Sequence, residues 1–474
     1  MSQKNETPVL LLSLLITLAL IGGGLWWLGR RLTLEGLPVI GDNPALPGGN
    51  GAGANRPASL PDRLSTGDKA LVSQSTSPAK QAGIAALADR NYEQAVQSLE
   101  NYLSQERNDP EALIYLNNAR IGDQRSHTIA VSVPLATSTE PALEILRGVA
   151  QAQNEVNEAG GVNGVPLKVL IASDDNQVEV VEEVAQALVN DSSVLGVVGH
   201  FGSEATLAAA DIYEQGGLVM VSPTSTSVQI SSEGDYIFRT VPSDRFTATT
   251  LADYMLNELG QQNAAVYYNS ESDYSASLKN QFTTALSSGG GQVVEEVDVV
   301  GSAFDASDSL NRVTQRGAEV IVLTTNTPTL DQAMQIVRAN DQQLPILGGD
   351  SLYNPKVLED GQRAAEGMIV AVPWIISANF RSPFVQNSQR LWGGDVNWRT
   401  AMAYDAARVL IEGISQNPTR QGIQQALSNP GFGIEGATGQ IQFLSSGDRN
   451  APMQLAIIEP GSRSSYGYDF VSLP

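Results

Sequence analysis

Two clusters of small hydroxyl residues stand at the ends of two successive apolar runs in the stretch Gly199–Ser227, GHFGSEATLAAADIYEQGGLVMVSPTSTS. LGVVGH (Leu195 to His200) ends at a glycine, Gly202 and Ser203 open a helical stretch whose alanine-rich face runs through Ala210, and GLVMVSP is the next buried strand. In a parallel sheet, strand–helix–strand places the loops beyond the strand ends over one crevice. A helix N-terminus there offers free N–H groups and positive dipole to an anion. Ser203, Thr224 and Thr226 would face that anion together. The same residue types also serve as helix caps and turn residues, so spacing alone leaves both roles open.

Other chemistries find little support. Asp174 and Asp175 stand together at a strand end, but adjacent strand residues point to opposite faces, which separates them as an acid–base or metal pair. The only histidines are His127 and His200, and Gly199-His200-Phe201-Gly202-Ser203 lacks the nucleophile-elbow pattern. AGGVNG (Ala159 to Gly164) is a turn signal without the spacing of a dinucleotide fingerprint. No enzyme, metal site or cofactor is therefore expected. The 51 acidic against 28 basic residues, net −23, oppose a surface built to neutralise phosphates, so no nucleic-acid partner is expected. The absence of cysteine removes disulfides, thiol chemistry and any lipid-bearing cysteine anchor.

The elements that must position the hydroxyls follow from periodicity. TIAVSV (from Thr128), LKVLIAS, LGVVGH, GLVMVSP, AAVYYNS, VIVLTTN, ILGGD and GMIVAV are short apolar runs separated by helical segments or turns. This is the pattern of doubly wound parallel α/β sheets. The stretch from Ser126 to Pro474 exceeds one comfortable core, so two lobes are expected.

Ahead of it, residues 1–33 contain the uncharged apolar run Val9 to Gly29, which at about 1.5 Å per residue spans the roughly 30 Å hydrocarbon layer. Trp26 and Trp27 close the run, and Arg30 and Arg31 follow it in place of a small-residue cleavage site, favouring an uncleaved membrane anchor. Residues 34–61 (with NPALPGGNGAGANRPASLP) read as a flexible linker. Across residues 62–124 helical periodicity returns, placing Ala86, Tyr92, Ala95, Leu99 and Tyr102 on one face before a second helix starts near Pro110. This resembles one tetratricopeptide-type helical hairpin, Asn91-Tyr92-Glu93-Gln94-Ala95 matching that repeat's turn. One such unit leaves a face uncovered and must dock on the neighbouring domain, a second copy or a partner.

From about His127 onward the chain resembles the leucine/isoleucine/valine-binding proteins, the type I periplasmic binding proteins that serve ABC importers. The resemblance is carried by GHFGSEAT, DIYEQGGLVMVSP, AGGVNG, the pair Asp174-Asp175 and AAEGMIV (Ala364 to Val370), in the expected order. It implies two doubly wound parallel-sheet lobes joined by a three-strand hinge: lobe one about 126–242 and 374–450, lobe two about 243–373 and 451–474. It also implies a receptor domain outside the cytoplasm, a small-molecule ligand of the amino-acid class, and an ABC permease as partner. In the family, the positions of Ser203 and Thr226 donate hydroxyl hydrogen bonds to the ligand carboxylate, and the backbone at Thr224 lines the zwitterion. The tyrosine that closes over the ligand falls on Tyr274, and the acidic partner of the ammonium on Asp350.

The departures bear on the ligand's far end. The first loop, VPLATSTEP, lacks the usual aromatic, and Asn326 replaces a second cleft tyrosine, leaving Phe201 as the one clear aromatic wall. A small or polar side chain is expected. A ligand sensor working through a partner protein would share this cleft, and the sequence leaves importer and sensor both open.

Overall fold

The computed structural model describes residues 59–72, 77–301 and 304–473. The expected anchor, Val9 to Gly29, and the expected linker up to residue 58 lie outside the described residues. Among the described residues no helix is long and apolar enough to cross a membrane. The last residues of the expected linker already have structure: Leu60–Arg63 form a 3-10 turn.

Six strands make the first sheet: β1 (Leu64–Ser65), β2 (His127–Val133), β3 (Leu167–Ser173), β4 (Val194–Val198), β5 (Val219–Ser222) and β6 (Ile237–Arg239), in the order β1-β3-β2-β4-β5-β6. β2 is buried along its whole length, as a strand covered on both faces must be. Its side chains divide between the two faces. Ile129, Val131 and Val133 join one core, and Ala130 joins another with Val181, Val184 and Tyr213. The first core includes the helices Thr139–Glu158 and Trp398–Gln416, which cross so closely that a Cβ on Gly148 would stand 2.3 Å from the Thr400 carbonyl oxygen. Only glycine permits that approach.

The second sheet contains β7 (Asn263–Tyr268), β8 (Gln292–Asp298), β9 (Val320–Leu323), β10 (Ile346–Gly348) and β11 (Ile369–Val372). After a small ribbon, β12 (Ile434–Gly436) with β13 (Gly439–Ile441), come β14 (Gln454–Pro460) and β15 (Tyr468–Ser472). The order is β15-β14-β11-β10-β9-β7-β8. All eight apolar runs read from the sequence form strands, but the sheets are not wholly parallel. β1 runs antiparallel to β3, β14 to β11 and β15 to β14. These strands arrive as edge additions, and an edge needs no crossover helix.

The chain passes between the sheets after β6, after β11 and before β14. Buried polar contacts fix two of these passages to the first lobe. Arg239 Nε lies 2.6 Å from Asp448 Oδ1, Arg449 Nη1 lies 3.3 Å from Asp405 Oδ2, and the Thr240 hydroxyl donates to the Met402 carbonyl at 2.9 Å.

Among the described residues of 62–124 there are three helices, Pro78–Ala88, Tyr92–Gln105 and Pro110–Ile121, where a two-helix hairpin was expected. Arg90 at φ 57° ends the first, Asn91 Oδ1 caps the second by accepting from Gln94 N–H, and Asp109 caps the third. The segment docks on the first lobe. The Asn118 amide donates to the Val169 carbonyl of β3 at 2.8 Å and accepts from Val169 N–H at 3.1 Å, so a side chain continues the sheet edge that β1 begins to cover. Inside it, fully buried Lys80 lies 2.6 Å from Asp109 Oδ2 and 2.7 Å from Glu111 Oε2, while Glu111 Oε1 accepts from the N–H groups of Leu71 and Val72. Burial opposes the charge on Lys80, but the two carboxylates outweigh it and hold its pKa above the ordinary value. Lys80→Met would strand both carboxylates in a dry site. It should cost about 3–5 kcal/mol, read as a lower denaturant midpoint of the full chain.

Candidate functional site

The strand ends of the two sheets face each other across a cavity of about 390 Å3. The first lobe presents Asn176 beyond β3, Phe201 and Ser203 beyond β4 and Thr224 beyond β5. The second presents Tyr274 beyond β7, Asn326 beyond β9 and Asp350 beyond β10. Carboxyl ends of parallel strands are where such a crevice must open, because the helices that follow begin there with unpaired N–H groups.

Six of the seven residues singled out from the sequence line this cavity: Phe201, Ser203, Thr224, Tyr274, Asn326 and Asp350. Thr226 does not. Its hydroxyl is fully buried, turned towards the Asp244 carboxyl. Ser203 is the first residue of the helix Ser203–Gly216, and its oxygen accepts from Ser227 N–H at 3.2 Å, which leaves its own proton to donate. The Thr224 hydroxyl is turned away, donating to the Phe201 carbonyl at 2.8 Å. The Asn326 amide oxygen accepts from Asn269 at 3.1 Å and from Thr329 at 2.7 Å.

Tyr274 and Asp350 form the centre of the second lobe's wall. The tyrosine hydroxyl donates to Asp350 Oδ1 at 2.8 Å, while Oδ2 is buried without a partner. Burial pushes the Asp350 carboxyl up to about 6, against the opposing pull of Arg399 and of its hydrogen bonds. Asp244, just after the first passage between lobes, is pushed up to about 7, mainly by burial and further by Asp350, with the Ser277 and Thr226 hydroxyls and Arg239 acting the other way.

Sequence reasoning missed Trp398 and Arg399. They begin the long helix Trp398–Gln416, are 1% and 3% exposed, and both line the cavity. Phe201 is therefore not the one aromatic wall, since Trp398 supplies another. The local signal was legible: Asn397 caps the helix by accepting from Arg399 N–H, fixing Trp398 and Arg399 in its first turn. That this turn reaches the cleft depends on how the chain returns from the second lobe to the first.

The rim is tied in two further places. The Ser272 hydroxyl of the second lobe donates to Glu204 Oε1 of the first at 2.5 Å. Arg63, from the N-terminal segment, lies 2.5 Å from Asp175 Oδ2. Asp175 in turn accepts from Ala136 N–H and, through its carbonyl, from the Thr137 hydroxyl, and the neighbouring Asn176 accepts from Gly202 N–H at 3.1 Å. The segment ahead of the lobes thus holds the loops that form the cleft lip.

Two α/β lobes, three passages between them and a polar cleft at the strand ends define a bilobal architecture with the cleft between the lobes. Residues 126–463 match the family described as periplasmic binding protein, and the chain belongs to that family. The leucine-specific-binding protein of Salmonella typhimurium is 28% identical over 227 residues, which are 48% of this chain and 61% of that protein. The match thus spans about three-fifths of that relative. Among solved structures, a leucine binding protein from Thermotoga maritima has a TM-score of 0.65 at 24% identity, covering 73% of this chain and 97% of that one. An ABC transporter substrate-binding protein from Desulfitobacterium hafniense, in complex with Leu, has a TM-score of 0.62 at 25% identity, covering 73% and 100%.

The two raised carboxyls set a pH dependence. A carboxyl whose folded pKa lies above its unfolded value imposes no cost below about pH 4, where both states are neutral. The cost builds as pH rises from the unfolded value to the folded one, here about 7 for Asp244, and levels off above it. Asp244→Asn should therefore match the parent in stability near about pH 4 and exceed it at about pH 7, with little further gain above that. Denaturant unfolding at the two pH values measures the difference.

Proposed function

We propose that this chain is an extracytoplasmic receptor, tethered to the membrane by Val9–Gly29, that holds an amino acid or similar small solute between its lobes and delivers it to an ABC importer. The observation that carries the reading is the opposition, across one cavity, of a helix N-terminus bearing Ser203 and a buried, half-satisfied Asp350 held by Tyr274. A zwitterion has one charge for each wall. The ligand carboxylate takes the Ser203 proton and the N–H groups of that helix turn, with the Thr224 backbone alongside and the Thr226 hydroxyl in the wall beneath. The ammonium takes Asp350 Oδ2. Phe201 and Asn326 border the ligand's side chain. The relatives support the ligand class, since one is named for leucine and a solved one carries it.

A sensor reading has one observation in its favour. The Arg63–Asp175 contact joins the segment next to the proposed tether to the cleft lip, so closure on a ligand would be felt there. Co-purification with a permease supports delivery, and co-purification with a kinase or cyclase supports sensing. The tetratricopeptide resemblance of residues 77–122 fits either partner.

Asp350→Asn keeps the shape and removes the charge. It should lower amino-acid affinity by about 3–5 kcal/mol without loss of folding stability, because the lost charge was itself costly to bury. Ser203→Ala should cost about 1.5–3 kcal/mol of binding. Calorimetry with the amino acids that stabilise the protein in a thermal-shift screen of all twenty measures both. Unchanged affinity in Asp350→Asn would move the ammonium site elsewhere, and stabilisation only by amides without a carboxylate would overturn the role of Ser203.

A further inference from the structure

Arg399 is the one cationic side chain lining the cavity among the described residues. It is 3% exposed, yet among the described residues no carboxylate lies within 4.0 Å of its guanidinium, although Asp350, Glu144 and Tyr274 stand near enough to influence it. Its Nε is buried without a hydrogen-bond partner, and its Nη1 reaches only the Tyr353 carbonyl, at 3.4 Å. The nearby Glu144 is occupied elsewhere, by Arg147 at 2.8 Å and by the Thr400 hydroxyl. The guanidinium carbon lies 4.4 Å from the Trp398 ring centroid, which fixes its plane. It also sits in the first turn of a long helix, where the helix dipole adds positive potential.

A buried guanidinium with an open Nε edge is costly unless an anion completes it. Resting on the amino-acid reading, in which the α-carboxylate and ammonium are taken by Ser203 and Asp350, we propose that Arg399 is a specificity-determining residue that pairs with a second carboxylate, on the ligand's side chain. The receptor then selects acidic amino acids, aspartate or glutamate, over apolar ones. The guanidinium fork matches a carboxylate with two parallel N–H bonds, which neither an amide nor a hydrocarbon side chain reproduces.

The test uses the full chain in mild detergent, titrated calorimetrically with L-glutamate, L-aspartate, L-glutamine and L-leucine. One or both acidic amino acids should bind at least tenfold more tightly than glutamine or leucine. Arg399→Met should erase that preference while leaving leucine affinity within about threefold, and Arg399→Lys, which keeps the charge but not the fork, should retain part of it. A residue that only neutralised Asp350 would, when replaced, lower all four affinities together, and that result overturns the proposal. Leucine binding as tightly as glutamate to the unaltered chain overturns it too, while the amino-acid reading stands. Binding of none of the four, or of any other amino acid, overturns both. If Arg399→Met does not fold, the unaltered chain and Arg399→Lys still decide.

Discussion

The buried pair of Asp174 and His200 is the contact on which the cleft depends. Both side chains are fully buried, with His200 Nδ1 2.6 Å from Asp174 Oδ2 and Nε2 3.0 Å from the Tyr213 hydroxyl. Asp174 also accepts from the Ser132 hydroxyl and Asn176 N–H, while the His200 carbonyl accepts from the Ser222 and Ser225 hydroxyls. One network therefore ties the ends of β2, β3, β4 and β5. A polar cluster so deep is stable only when its members are satisfied together, so the loops that carry Asn176, Phe201, Ser203 and Thr224 are fixed as a set.

The second lobe's wall is arranged differently. Tyr274 and Asp350 satisfy each other only in part: Asp350 Oδ2 is buried without a hydrogen-bond partner, and the Asp244 carboxyl is buried with only the Thr226 and Ser277 hydroxyls beside it. Folding leaves polar groups in that condition at a cost of about 1–3 kcal/mol each, and a functional site is where such a cost persists. The first lobe's wall is preorganised, and the second holds its capacity in reserve.

The N-terminal segment is part of this arrangement. Leu113, Ile114, Tyr115 and Leu116 join the same core as β2 and β3, and β1 pairs with β3. A fragment starting near Ser126 would expose that face and lose Arg63 from the cleft lip. The docking answers the uncovered face that the helical periodicity implied.

The sequence by itself determined eight of the strands, because uninterrupted Val, Ile and Leu runs bounded by glycine and polar turns have few other ways to be buried. Strand-end spacing also put the hydroxyls of Ser203 and Thr224 at one crevice, since strand ends share it whatever the details of packing, while Tyr274 and Asp350 were reached through the family resemblance. Only the tertiary structure decided what lay between. Trp398 and Arg399 sit about two hundred residues from Ser203 along the chain and reach the cleft because the helix Trp398–Gln416 returns to the first lobe and crosses the helix Thr139–Glu158 at Gly148. Thr226 was assigned to the cavity by its place in the hydroxyl cluster beyond the strand and by the family resemblance, whereas in the structure its hydroxyl is buried beside the Asp244 carboxyl. Period and spacing carry information about faces and ends of elements, whereas which side chain meets which across a cleft is set by long-range packing, and no local pattern encodes that.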